Sequence, residues 1–165
     1  MDRESGFSLI ELLIVVAIIL VIAAMAMPNL LRARISANEA SAAASMRTIA
    51  TSEITYRLAY PSLGYTDLAT LGGPGNCTPS SATACMVDSL LSTGTKSGYS
   101  FAATASAAAG GAMDEYLVTA VPVNQSITGV KGFCTVEDHV ILYITQAGAP
   151  ATRAVCLGGT YNPIQ

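Results

Sequence analysis

Gly6-Phe7-Ser8-Leu9-Ile10-Glu11-Leu12-Leu13-Ile14-Val15-Val16-Ala17-Ile18-Ile19 opens an apolar run that ends at Met27, just before Pro28-Asn29-Leu30. From Phe7 to Met27 the single charged side chain is Glu11. Coiled as a helix at about 1.5 Å per residue, this run reaches roughly 31 Å, and the hydrocarbon core of a bilayer is about 30 Å thick. The run therefore reads as a membrane-spanning helix. A secretory signal peptide is the rival reading, because Ala24-Met25-Ala26 has the small-x-small form of a cleavage site. The run is longer than the roughly 7–15 apolar residues of a signal peptide, and Met1-Asp2-Arg3-Glu4-Ser5-Gly6 lacks a basic start.

Glu11 is the informative residue. A carboxylate in a spanning helix costs on the order of 2.5–3.5 kcal/mol, and such residues mark function. Cleavage after Gly6 would expose a new ammonium on Phe7, four residues from Glu11. Opposite charges at one end of an apolar rod suit neutralisation between neighbouring rods. With Pro28 and the apolar run between, these residues resemble the processing and methylation motif of type IV prepilins, a motif shared with the pseudopilins of type II secretion systems.

The resemblance implies that a prepilin peptidase cuts between Gly6 and Phe7 and methylates the new Phe7 amine. It implies that Glu11 supports methylation and registers each incoming subunit against a neighbour. It further implies identical subunits held in the inner membrane, leader in the cytoplasm and head in the periplasm, then polymerised into a surface pilus. An assembly ATPase, a platform protein and a secretin pore would serve that process. Charge bias gives the opposite orientation: Arg3 lies on the leader side, whereas Arg32 and Arg34 follow the span.

Pro28 lacks a backbone donor and is expected to kink a helix that continues past it. Larger or apolar side chains recur at Ile35, Ala42, Met46, Ile49, Tyr56 and Tyr60, a helical rhythm. The polar face is expected to hold Arg32, Arg34, Glu39, Arg47, Glu53 and Arg57, with Glu53 and Arg57 as an exposed i,i+4 pair. Pro61 ends the helix.

The expected fold is α+β: a long N-terminal helix, apolar then amphipathic, packed on a C-terminal antiparallel sheet of about four strands. The expected organisation is a leader at 1–6, a transmembrane and filament-core helix at 7–28, an amphipathic half at 29–60, a loop at 61–98, a sheet at 99–145 and a disulfide-bounded tail at 146–165. Strand candidates are 99–105, 115–121, 132–136 and 140–145, and 85–91 is a candidate short helix. Cys77, Cys85, Cys134 and Cys156 allow three pairings. In an exported chain they read as disulfides. The favoured pairing is Cys77–Cys85 and Cys134–Cys156, which fastens the loop and the tail separately.

No catalytic constellation, metal site or cofactor motif is recognisable. His139 reads as a solvated turn residue. Asp114-Glu115 and Glu137-Asp138 lack the alternating ligand spacing of a calcium loop and read as solvated turns. Asn124-Gln125-Ser126 fits the short glycosylation pattern. A net charge of -3 argues against a nucleic-acid site. The leading reading is a type IV pilin, a structural subunit and not an enzyme. A pseudopilin is the alternative, and a singly anchored ligand-binding protein is the third.

Overall fold

The computed structural model describes residues 8–107, 111–145, 148 and 152–164. Two compact units make up the chain, Met1–Arg34 and Ile35–Gln165. Helix α1 (Leu9–Ala59) contributes residues to each.

In the first unit none of residues 8–34 is buried. Leu9 is 80% exposed and Ile22 62%, so the apolar side chains face outward on every side of the helix. The helix runs without a break through Pro28. Proline removes the donor that the carbonyl four residues back would otherwise receive. One residue on, Asn29 Nδ2 donates to the Met25 carbonyl at 3.3 Å.

In the second unit α1 supplies a buried stripe of Ala42, Met46, Ile49 and Tyr56, with Tyr60 packed against it. The helix stops at Ala59, two residues before Pro61. Two single-turn helices follow: α2 (Leu68–Leu71), capped by Asp67, and α3 (Ser89–Ser92), capped by Asp88. The expected helix at 85–91 is thus shorter and later. Cys85 has a φ of 58°, which a right-handed helix cannot include, and Asp88 in extended conformation accepts from Leu91 N to begin the turn.

The sheet is an antiparallel meander, β1 to β6 in sequence order: Thr95–Lys96, Tyr99–Ser106, Glu115–Pro122, Lys131–Thr135, Leu142–Thr145 and Asn162–Pro163. The central four match the expected strands, with shifted ends. β5 begins at Leu142 and not at 140, since His139 takes a φ of 58° in the preceding turn. The two added strands are two-residue edges with too little pattern to read. Tyr99, Phe101 and Ala103 on β2 alternate inward, as do Tyr116, Val118 and Ala120 on β3.

The other face of the sheet is covered as well. Register pairs Thr119 with Cys134 and Cys134 with Leu142, so these side chains share that face. Cys134, Val136, Cys156 and Tyr161 form a second buried cluster there, with Leu117, Leu142 and Ile144 packed against it. The tail that supplies Cys156 and Tyr161 holds helix α4 (Arg153–Leu157) and β6. Both expected disulfides are present, Cys77–Cys85 and Cys134–Cys156, with Cα separations of 5.9 and 6.2 Å.

Candidate functional site

Gly6 and Phe7, the expected cleavage and methylation residues, lie outside the described residues. The local structure beside them begins at Ser8. Its carbonyl accepts from Glu11 N at 3.1 Å and Leu12 N at 3.2 Å, which starts α1 at Leu9. Ser8 and Glu11 therefore stand at the helix cap and third helical position, the spacing of a capping box. Glu11 lies in the first turn, where the helix dipole favours negative charge. Its side chain is exposed. That cap is legible in the sequence as Ser-x-x-Glu before an apolar run.

The described helix is long and apolar enough to cross a membrane, and its most apolar window is 0% buried. In water such a surface is unstable, because each buried methylene is worth about 0.8 kcal/mol. The arrangement suits a helix surrounded by lipid or by other helices, with the one acid of its apolar run in the first turn.

The head holds acids on a face where the sequence pattern does not place them. Glu39 and Glu53, expected on the polar side of α1, both lie within about 60° of Ala42 around the helix, on the core stripe. Glu39 accepts from Val130 N at 3.0 Å and Lys131 N at 3.2 Å, and pairs with Lys131 Nζ at 3.1 Å. Glu53 is 0% exposed and accepts from Thr66 N at 3.1 Å. Val130 and Thr66 lie in loops and Lys131 opens β4, and a covered N–H requires an acceptor. The anticipated Glu53–Arg57 staple does not form. Arg57 instead donates to the Tyr65 hydroxyl at 3.0 Å and lies over that ring.

Among the described residues, Glu53 Oε1 has no hydrogen-bond partner. Burial pushes this carboxyl up to about 7, with repulsion from Asp67 adding to the rise and the Thr66 N–H opposing it. Nearby, Tyr116 packs edge-on against Tyr65 with ring centroids 4.7 Å apart. Its hydroxyl meets His139 Nδ1 at 2.7 Å, so His139 is exposed but not merely solvated. Burial pushes the Tyr116 phenol up, beyond its ordinary range.

The two acidic pairs are corrected in part. Glu137 accepts from Tyr116 N at 2.7 Å and from Arg153 Nε at 2.8 Å, while Glu115 lies 3.6 Å from Arg153. Arg153 thus ties α4 to β3 and the turn after β4, beside the Cys134–Cys156 bond. Replacing Arg153 with glutamine should cost below about 1 kcal/mol, since the arginine side chain is 39% exposed and solvent screens the pair. Urea unfolding without reductant measures that loss, and a cost above about 2 kcal/mol, beyond what an exposed pair supplies, would make this ion pair the main fastening of the tail.

Residues 1–27 match the family model for the prokaryotic N-terminal methylation motif, the mark of type IV prepilin-like proteins. No curated protein and no solved structure matches the chain.

Proposed function

We propose that this type IV prepilin-like chain is the structural subunit of a type IV pilus. The carrying observation is the first half of α1: an apolar helix with no buried face, one carboxylate in its first turn, within a methylation motif. In this reading prepilin peptidase cleaves between Gly6 and Phe7 and methylates the Phe7 amine. The inner membrane then stores the subunit by its helix, head outward in the periplasm. Assembly exchanges lipid around the helix for the helices of other subunits, so the apolar surface stays dry throughout. Glu11 meets the Phe7 amine of a neighbour and sets the axial register. Pro28 bends the helix between its dry and wet parts, and the assembly ATPase, platform and secretin drive and conduct the fibre. The chain's role is structural, not enzymatic.

Two features favour a pilus over the short filament of a pseudopilin. The loop and the tail are each fastened by a disulfide. A surface fibre is exposed to shear and to an oxidising exterior, where such bonds persist. Electron microscopy of material sheared from cells, with mass spectrometry of its subunit, tests the reading. The expected result is fibres whose subunit begins at methylated Phe7. Absence of fibres, with the processed chain confined to the envelope, would support the pseudopilin or the anchored-protein reading.

A further inference from the structure

Just past the apolar run, α1 carries two cations, Arg32 and Arg34, before its next anion at Glu39. Arg32 and Arg34 are exposed, and no Asp or Glu occurs between Leu12 and Asn38. They follow Met27 by five and seven residues, or roughly 7.5 and 10 Å along the helix axis. The polar layer of a bilayer is about 5–8 Å deep on each side of the hydrocarbon, and a long basic side chain extends or folds back to keep its head at that level. At 100° per residue, the two arginines lie about 160° apart around the helix. They point to nearly opposite sides. Exposed Leu30 and Leu31, at 72% and 44%, lie between them and the end of the run.

A protein docking on one side of a helix meets one such arginine. Lipid surrounds the helix and meets both. The guanidinium fork also matches a phosphodiester in a way that an ammonium does not. In the orientation implied by processing, both charges must cross the membrane against the usual bias, which calls for a use on the far side. We propose that Arg32 and Arg34 form a two-sided collar that binds anionic phospholipid headgroups of the periplasmic leaflet and sets the depth at which the stored subunit rests. The proposal rests on the membrane-spanning reading of α1.

The test uses the full chain in nanodiscs of equal phosphatidylglycerol and phosphatidylcholine, with native mass spectrometry of the lipids retained on release. Each arginine at an anionic surface is worth about fivefold in preference. The wild type should retain phosphatidylglycerol over phosphatidylcholine by tenfold or more, and the R32Q/R34Q double variant should retain the two nearly equally. Resistance to carbonate extraction, scored in parallel, reports the span. Extraction of the wild type would sink the spanning reading and the collar with it. An inserted wild type that holds both lipids alike overturns the collar and leaves the span standing. A double variant that keeps the phosphatidylglycerol preference but assembles no fibres also overturns it, and assigns the arginines to subunit contacts.

Discussion

Replacing Glu11 with alanine should leave the chain in the membrane and lower the yield of sheared fibres by at least tenfold. Insertion is not expected to suffer, because the substitution removes the on-the-order-of 2.5–3.5 kcal/mol cost of a carboxylate in the span. Assembly should suffer, since a neighbour's Phe7 ammonium would be buried without its partner. Breaking a buried pair by removing one member costs roughly 3–5 kcal/mol, and every 1.4 kcal/mol or so is a factor of ten. The apolar contacts between helices are unchanged by the substitution, so the loss isolates the charge. Glu11→Gln separates charge from shape: it keeps the side-chain length and capping position and should assemble as poorly as alanine. Quantitative immunoblotting of sheared and membrane fractions gives the ratio. Wild-type fibre yield from Glu11→Gln would remove ion pairing from the mechanism.

The second large effect is a pH dependence of the head's stability, and it comes from Glu53. This carboxyl is fully buried, has one oxygen without a partner among the described residues, and is pushed from its ordinary 4.5 up to about 7. Between those two values the folded chain binds more protons than the unfolded chain, so stability falls as pH rises. The contribution is fully present below about 4.5 and is lost as pH climbs through about 7. Each pH unit between the two values is worth about 1.36 kcal/mol, so the penalty above that range is on the order of 3 kcal/mol.

Glu53→Gln mimics the protonated form, with its oxygen still able to accept from Thr66 N. It should match the wild type near pH 5, exceed it by roughly 2–3 kcal/mol near pH 8.5, and flatten the slope between. Chemical denaturation of the full chain in detergent, across that range, measures both curves. An equally steep slope in the glutamine variant would assign the pH dependence to another group.

Several parts of this molecule are visible in local sequence because their physics is local. Glu11, the length of the apolar run and the Ser8 cap depend on residues within a turn or a span of one another. The alternation of Tyr99, Phe101 and Ala103 reveals β2 for the same reason: a strand with one buried face repeats every two residues. The disulfide pairs are favoured because each fastens one neighbouring segment, and that is how they form. The edge strands at 95–96 and 162–163 are not legible, since two residues have no period. The second core beneath Cys134 and Cys156 is hidden likewise. β3 buries Thr119 as well as Tyr116, Val118 and Ala120, so covering both faces erases the alternation that would have announced one.

The amino-acid sequence by itself determined the apolar helix, the single acid of its apolar run, the methylation motif and the α+β order of elements. Tertiary structure decided which charged groups of α1 went inside. Glu39 and Glu53 read as solvated because charged side chains ordinarily stay in water. They are drawn inward by Val130, Lys131 and Thr66, whose backbone N–H groups come from loops and the start of β4 and need acceptors where the helix covers them. A donor thirteen residues from Glu53, or more than ninety from Glu39, leaves no mark on the local pattern. Only the folded chain brings donor and carboxylate together.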